Sequence, residues 1–248
     1  MKKIICGLCA LSVAGGFLAL ALLALAGPLY RLDLLELGQA FSLLRWAAYL
    51  GIASIILIIG YGIWRRPKGR LAGALAVSAL AGVCAVVIPW SQMQAARSVP
   101  PIHDISTNLE NPPAFVDIVA LRKDAPNPPE YAGPDAARQQ RQAYPDIQPF
   151  VLNAPLDKVY QSAQDVVRTL GWELVSAEAE QWQARIEATD TTFWFGFKDD
   201  VVVRLQYTGN STLIDVRSKS RVGKGDVGKN AERIREFFSV LEEEMEQN

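Results

Sequence analysis

Residues 46–64 read WAAYLGIASIILIIGYGIW, a run with no charged side chain and a tryptophan at each end. Residues 4–30 and residues 71–96 are likewise free of charged side chains. Each run has the roughly 20 residues needed to cross a hydrocarbon core of about 30 Å. Because all three runs are apolar on every side, a buried helix of a soluble protein does not fit them. The sequence therefore predicts a transmembrane region over residues 1–97.

The placement of lysine and arginine predicts the orientation of these helices, since cytoplasmic loops are enriched in both residues. Lys2 and Lys3 precede the first apolar run, and the short loop of residues 65–70 carries four more cations. The other loop, residues 31–45, balances its two arginines with two acidic residues. We therefore expect a multi-pass inner-membrane protein with a cytoplasmic N-terminus. Everything after Ala96 then lies outside, in the periplasm of a Gram-negative cell.

A cleavable signal peptide is an alternative for the first apolar run. Lys2-Lys3, the run itself and Ala24-Leu25-Ala26 fit its pattern. The run is longer than the usual signal core of roughly 7–15 residues, which favours an uncleaved anchor. Either alternative leaves the C-terminal part of the chain outside.

The interior of the predicted spans is chemically plain. No Asp, Glu, Lys, Arg or His lies within a span, which argues against a pump or a channel. Ala74, Ser78 and Gly82 form a stripe of small residues at helical spacing. This stripe predicts tight packing against a neighbouring helix of the same chain, with a dimer contact as the alternative.

Composition excludes several chemistries for the rest of the chain. The net charge is −1, so no bulk positive field attracts nucleic acid. The three cysteines, Cys6, Cys9 and Cys84, all lie in the apolar part, which leaves the remainder without a disulfide, a thiolate nucleophile or a cysteine zinc site. His103 is the single histidine, so a histidine-rich metal cluster is excluded as well. We therefore predict neither a metal nor a cofactor.

Residues 98–148 form a proline-rich connector, since ten of the fourteen prolines fall between Pro100 and Pro149. So many prolines are incompatible with regular helix and central strand, so we expect this segment to form neither and to be an extended arm that docks on the domain. His103 and Asp104 within it could act as an acid/base pair. Neighbours on an extended chain point to opposite sides, however, and this favours a structural clamp.

Residues 149–248 predict an α+β domain with the order β-α-β(n)-α and helices packed on one face of an antiparallel sheet. A short strand at residues 150–152 precedes an amphipathic helix that ends at Gly171. Alternating apolar residues then indicate strands, and a final amphipathic helix closes the domain. The alternating stripes are Trp182, Ala184, Ile186 and Ala188; Phe193, Phe195 and Phe197; Val201, Val203, Leu205 and Tyr207; and Thr212, Ile214 and Val216.

Aromatic residues are frequent in this domain. We expect the phenylalanine stripe, together with Trp172, Trp182 and Trp194, to lie in the core, with lining of a ligand cavity as the alternative. Polar Arg204 and Arg217 interrupt strands, and we expect them to form surface or cross-strand ion pairs.

Residues 223–228 read GKGDVG and match the G-x-G-x-x-G pattern of dinucleotide sites. We reject that interpretation because no strand and no ribose-binding acid follow the last helix. The alternatives are a tight turn with Asp226 near the helix start and a solvated basic face, or a site for a phosphate or lipid headgroup held by backbone amides and lysines. The candidate residues are Arg217, Lys219, Arg221, Gly223, Lys224, Gly225, Asp226, Gly228, Lys229 and Asn230.

Two separated motifs carry a family resemblance. Residues 102–107, IHDIST, lie between proline pairs, and residues 215–223, DVRSKSRVG, are followed by Asp226, Gly228, Asn230 and Arg233-Ile234. Both resemble signatures of the DUF1499 family, and the resemblance extends from about Val99 to the C-terminus. Gly225 departs from the family pattern, which often has serine before the motif aspartate. The resemblance implies a domain of this type and supplies no mechanism.

These observations favour an integral inner-membrane protein whose periplasmic domain is a non-enzymatic binding module in the cell envelope. Its expected partners are membrane lipids and an envelope protein or an anionic or lipid ligand, bound through residues 217–229. One alternative is carriage of a lipid or other apolar ligand in a cavity lined by Trp194 and Phe195. A hydrolase using His103 and Asp104 is the weakest alternative, because no recognisable nucleophile motif accompanies them.

Overall fold

A computed structural model describes residues 2–247 of the chain and the side chains of residue 7 and residues 9–246. The chain divides into two compact units. The first comprises Met1–Ala95 and Phe193–Gly196, and the second comprises Ala96–Thr192 and Phe197–Asn248. The lysine side chains at positions 2 and 3, on which the predicted orientation partly depends, and the Cys6 side chain lie outside the described residues.

Three long helices make up most of the first unit: α1 (Lys2–Arg31), α2 (Leu37–Arg65) and α3 (Arg70–Ser98). Each is long and apolar enough to cross a membrane, which confirms the three predicted apolar helices. Glu36 and Gln39 form a reciprocal capping box at the start of α2. Arg66 ends α2 in the left-handed conformation, immediately before Pro67.

Small residues bring the three helices together. The Ser54 hydroxyl of α2 donates to the carbonyl oxygen of Ser12 at 2.7 Å, and the Ser78 hydroxyl of α3 donates to the same oxygen at 3.1 Å. Gly51 of α2 and Gly82 of α3 approach so closely that a Cβ on Gly51 would lie 2.7 Å from the Gly82 oxygen. The predicted packing of the small-residue stripe within the chain is therefore confirmed at Ser78 and Gly82.

The second unit is built on a six-stranded antiparallel sheet with the order β1-β6-β5-β4-β3, and β2 also pairs with β6. This arrangement confirms the predicted α+β class with an antiparallel sheet. The strands are β1 (Asp104–Ser106), β2 (Phe150–Leu152), β3 (Glu173–Ala179), β4 (Gln183–Thr191), β5 (Lys198–Tyr207) and β6 (Thr212–Ser220).

Two helices cover one face of this sheet, which we call the helix face: α5 (Leu156–Thr169) and α6 (Lys229–Gln247). Their apolar sides pack on alternate residues of β4, β5 and β6, as the period-2 pattern predicts. Gly171 adopts a φ of 71° just after α5, as its predicted role at the helix end requires. The core includes Val159, Val166, Ile186, Val203, Leu205, Ile214, Ile234 and Phe237.

The proline-rich connector is not extended throughout. It contains β1, a short 3₁₀ helix (Ile118–Arg122) and the ten-residue helix α4 (Pro134–Ala143). A helix is tolerated here because Pro134 occupies its first turn, where no amide is needed, and the next proline, Pro145, lies beyond its end. The prediction that this segment excludes regular helix was wrong.

The predicted phenylalanine stripe is not a strand. Residues 192–197 form the connection between β4 and β5, closed by a hydrogen bond from the Thr192 amide to the Phe197 carbonyl. Trp172 is buried as expected, whereas Phe193 is 93% exposed and Trp182 is 59% exposed. The aromatic alternation resembled a strand, but Gly196 adopts a φ of 68° that turns the chain.

Candidate functional site

The face of the sheet opposite the helices is charged, and we call it the arm face. Asp215, Arg217 and Lys219 of β6 alternate with the apolar residues of the helix face, and Asp200 and Arg204 lie beside them on β5. Residues of the 104–131 segment lie over these side chains. A face with this composition is expected to be solvated, but the arm buries it.

Asp104 holds the arm at its start. Its two carboxylate oxygens accept from Arg217 Nε at 2.8 Å and Arg217 Nη2 at 2.9 Å, and the Lys219 ammonium lies 3.1 Å from one of them. The Ala132 amide donates to the same carboxylate at 2.9 Å. All three charged side chains are at most 2% exposed. Burial lowers the pKa of Lys219, and the Asp104 carboxylate opposes that effect.

Arg217 also binds backbone carbonyl groups of the arm. Its guanidinium donates to the carbonyl oxygens of Pro113 at 3.1 Å and Pro129 at 3.0 Å. The ring of Phe115 lies 4.8 Å below the guanidinium carbon. One side chain therefore joins β6 to three separate points of the proline-rich segment.

A second carboxylate, that of Asp200, binds two arginines. It accepts from Arg122 at 2.6 Å and from Arg221 at 2.9 and 2.8 Å, and the Thr189 hydroxyl donates to it at 2.7 Å. Arg122 also donates to the carbonyl oxygens of Lys219 and Ser220. Burial lowers the pKa of Arg122, and the Asp200 carboxylate opposes that effect without cancelling it. The 3₁₀ helix is thereby fixed to the end of β6.

Glu187 of β4 anchors the middle of the arm. Its buried carboxylate accepts from the amides of Val116 at 2.7 Å and Ile118 at 2.8 Å. Burial raises the pKa of Glu187, and the two amide hydrogen bonds act in the opposite direction. The alternation of β4 places Glu187 on the side opposite Ile186 and Ala188, and its burial under the arm depends on contacts far away in the sequence.

The polar residues of the C-terminal motif on the helix face form another network. Arg233 of α6 binds Asp190 at 2.6 Å and Asp199 at 2.8 Å. Burial acts to lower the pKa of Arg233, but the two carboxylates outweigh it and raise the pKa. The Asn230 side chain accepts from the Ser218 hydroxyl at 2.6 Å. Asn230 also donates to the His103 carbonyl at 3.2 Å, which ties α6 to the arm.

The glycine-rich loop caps α6 with its own carboxylate. Asp226 accepts from the Gly228 amide at 2.9 Å and from the Asn230 amide at 2.7 Å. Burial raises the pKa of Asp226, opposed by these two amides. A ligand anion at this helix start would have to displace Asp226, since the carboxylate already occupies the amides that such an anion would use.

The ten candidate residues therefore separate into four groups. Arg217, Lys219 and Arg221 bind carboxylates on the arm face, and Asn230 belongs to the helix-face network. The Gly223, Gly225, Asp226 and Gly228 positions shape the loop, where Gly223 and Gly228 adopt φ values of 98° and 82°. Lys224 and Lys229 are exposed, and Lys229 is paired with Glu232.

His103 and Asp104 do not form an acid/base pair. The His103 ring Nδ1 lies 3.4 Å from the Lys224 carbonyl oxygen, whereas the Asp104 carboxylate is occupied by Arg217 and Lys219. The His103 carbonyl accepts from the Ser220 amide as part of the pairing between β1 and β6. The geometry fits the predicted structural clamp.

Sequence reasoning missed Arg122 and the role of Glu187. A charged residue between the apolar neighbours Ile186 and Ala188 gives no local sign that its side of the strand is covered. It also missed a shallow groove of about 320 Å³ between the start of α5 and the β3–β4 turn, where Trp182 stacks on Tyr207 at 5.8 Å. Among the side chains that the structure describes, no group of three potential ligands is placed to hold a metal ion.

Comparison with known families gives a match to the C-terminal part of the chain. The model of a family described as protein of unknown function (DUF1499) matches residues 104–241, which is more than half of the chain. The matched region runs from the first residue of β1 into α6 and confirms the resemblance noted in the two motifs. The comparison with curated proteins gives no match.

Proposed function

The chain belongs to the DUF1499 family, and we propose that it is a membrane-anchored, non-enzymatic binding module of the cell envelope. In this proposal α1, α2 and α3 cross the inner membrane and the domain from about residue 98 onward faces the periplasm. The ligand is an envelope protein or an anionic envelope component that contacts the surface around Lys224.

The charge distribution around the helices supports this orientation. The α2–α3 loop carries Arg65, Arg66, Lys68 and Arg70, whereas the α1–α2 loop carries Asp33 with Glu36 at the start of α2. Loops rich in lysine and arginine remain in the cytoplasm. Three crossings then place the chain after α3 on the opposite side from the N-terminus.

The observation that carries the non-enzymatic proposal is the use of the charged motif residues in buried ion pairs. Asp104, Arg217 and Lys219 satisfy one another under the arm, and Arg221 satisfies Asp200. A general acid, base or nucleophile has to reach a substrate, whereas these groups are committed to holding the arm on the sheet. The motifs therefore define a rigid domain, and recognition is left to its exposed surface.

The loop of residues 222–228 is the exposed part of the motif region. It is held by the Asp226 cap and by the Asn127 side chain, which donates to the Gly223 carbonyl at 2.9 Å. Gly225 approaches Pro101 so closely that a Cβ would lie 3.2 Å from the proline Cα. Lys224 projects from this fixed backbone into solvent. A preorganised loop with an exposed cation suits a partner that carries negative charge.

The test is crosslinking of the full-length protein in its own membrane, followed by identification of the captured molecules by mass spectrometry. A photo-crosslinking residue at position 224 is expected to capture a defined partner. Lys224→Glu is expected to weaken capture by a crosslinker at the neighbouring position 222, because a rim charge chiefly affects partner association. Lys123→Glu is the matched control, since Lys123 is also exposed but follows the 3₁₀ helix.

Equal capture by Lys224→Glu, Lys123→Glu and the unmodified chain would exclude this surface. Arg221→Ala is not a clean probe of binding, because Arg221 also holds Asp200 and the carbonyl oxygen of Leu121. Its loss is expected to loosen the arm as well as to remove a surface charge.

The two alternative functions find less support. Carriage of an apolar ligand required a cavity lined by Trp194 and Phe195, but both side chains belong to the helical unit. The space between the sheet and its helices is filled by core side chains such as Val203, Leu205 and Phe237. Hydrolysis by His103 and Asp104 required a pair that the pairing of Asp104 with Arg217 does not provide.

A further inference from the structure

The connection Phe193–Gly196, which we call the aromatic tip, belongs to the same compact unit as the three long helices. Residues 191–197 read TTFWFGF and contain no charge. Trp194 packs against the cluster that joins the helices, which includes Ala19, Leu23 and Ala47. The tip is thus a non-helical part of a unit whose helices are long and apolar enough to span a membrane.

A notch in α1 receives Trp194. Pro28 lies inside α1 and has no amide hydrogen, so it cannot donate to the Ala24 carbonyl four residues earlier. The Trp194 indole N–H donates to that same carbonyl at 3.3 Å. A carbonyl without a donor is unfavourable in hydrocarbon, where no water can bond to it, so the indole satisfies a group that the helix itself leaves open.

Gly27 makes room for this contact. A Cβ at position 27 would lie 2.5 Å from both the Trp194 ring and the Trp194 carbonyl oxygen. Such a contact with backbone can be relieved only by moving the tip. Gly27 and Pro28 together therefore form a notch that fits one tryptophan. Gly27 has no side chain to fill the space, and Pro28 has no N–H to donate to the Ala24 carbonyl.

The remaining residues of the tip lie around the end of α1. The Phe195 ring is buried, 5.9 Å from the ring of Tyr30 and 5.8 Å from that of Phe41. The Arg31 guanidinium donates to the Phe193 carbonyl at 3.3 Å. A cation and several aromatic rings at one helix end are typical of the boundary between hydrocarbon and water.

Phe193 is the one side chain of the tip that the protein leaves almost entirely uncovered, with 93% of it exposed. We propose that the aromatic tip is a membrane-inserted element: Trp194 is seated in the Gly27–Pro28 notch, and the Phe193 ring contacts the lipid of the bilayer that the helices span. Lipid is the occupant favoured here because the ring continues the aromatic boundary around Tyr30 and Arg31. This inference requires only that the helices span a membrane and is independent of partner binding at Lys224.

The test uses the full-length protein reconstituted in vesicles of phosphatidylethanolamine and phosphatidylglycerol. A photo-crosslinking phenylalanine analogue is placed at position 193 or, as a control, at position 182, since Trp182 is also exposed but belongs to the second unit. Mass spectrometry is expected to find lipid adducts at position 193 and only background at position 182. Adducts confined to protein, including a second copy of this chain, or equal lipid labelling at both positions would overturn the proposal.

A pair of glycine variants tests the notch in the same vesicles. Gly27→Ala is expected to remove most of the lipid adduct at position 193, because the new methyl group displaces Trp194. Gly60→Ala is the matched control, since a Cβ at Gly60 in α2 meets nothing within 4 Å. Adduct yields that are the same in both variants would contradict the role of the notch, whereas the comparison of positions 193 and 182 does not depend on either variant.

Discussion

The two faces of the sheet are buried by different means. The helix face is covered by α5 and α6 through apolar side chains such as Val203, Leu205 and Phe237. The arm face is covered by a proline-rich segment through ion pairs and through hydrogen bonds to backbone groups. Apolar burial is non-directional, whereas each charged contact requires a particular partner at a particular distance.

The charged motif residues fix the arrangement of the arm more than they add net stability. Buried ion pairs add little net stability over an apolar contact, because desolvation cancels much of the attraction. They do penalise every arrangement in which a charge is left alone. We infer that Asp104 and Arg217 fix the register of β1 on β6, in which Asp104 lies opposite Lys219 and Ser106 opposite Arg217.

The largest effect is expected from removing one charge of the arm face. Asp104→Asn should lower the free energy of unfolding by about 3–5 kcal/mol, because Arg217 and Lys219 would remain buried without their carboxylate. Urea unfolding of the full-length protein in detergent micelles, followed by near-ultraviolet circular dichroism, measures the change.

Asp135→Asn provides the matched control for Asp104→Asn. Asp135 also pairs with an arginine, Arg138, but both side chains are mostly exposed. Exposed pairs contribute little, so this variant should unfold close to the unmodified protein. Equal effects of the two substitutions would show that burial of the ion pair has no special role.

A truncation on the helix face should come next. Leu205→Ala is expected to lower the free energy of unfolding by about 2–5 kcal/mol, since the fully buried side chain leaves a cavity in the core. Its effect should be the same at pH 5 and pH 8, because no titratable group is removed. Val151→Ala, at an exposed apolar position of β2, serves as the control for the same unfolding measurement.

The cap of α6 should contribute less than either face. Asp226→Ala is expected to cost about 1 kcal/mol, because the amides of Gly228 and Asn230 lose their acceptor. Asp157→Ala, in the first turn of α5, removes an exposed carboxylate instead and is the control. If the two variants unfold at the same urea concentration, Asp226 does not stabilise the helix start.

The smallest expected effect is the pH dependence that Glu187 contributes on the arm face. Burial raises the pKa of Glu187, so its proton binds more tightly in the folded chain. Stability from this group is therefore fully present below its ordinary pKa of 4.5 and declines as pH rises through the higher folded value. The difference in unfolding free energy between the unmodified protein and Glu187→Gln should fall over that interval. A difference that grows with pH contradicts the direction of the shift.

Local patterns predicted much of the architecture. The uncharged runs predicted the three long apolar helices, and alternation of apolar residues predicted β4, β5 and β6 with their helix-facing sides. The same alternation failed at Phe193, Phe195 and Phe197, because an aromatic tip held by a helical notch has the spacing of a strand. The number of prolines wrongly excluded a helix where α4 forms, since the position of a proline within a helix matters more than the frequency of proline nearby.

Sequence patterns likewise predicted part of the candidate site and missed the rest. Its residues were recognisable from two motifs, and Asp226 was correctly placed at the start of a helix. Their partners were not recognisable. Asp104 and Arg217 are 113 residues apart, and Arg122 and Asp200 are 78 residues apart, so no local pattern relates either pair.

The amino-acid order alone was sufficient for the three long apolar helices and for the apolar face of the sheet, because both depend on the spacing of neighbouring residues. Folding of the complete chain was needed to bury the charged face, to pair Asp104 with Arg217 and to seat Trp194 beside Gly27. Each of these contacts depends on direction and distance between remote segments, and that geometry exists only once strand register and helix packing are set.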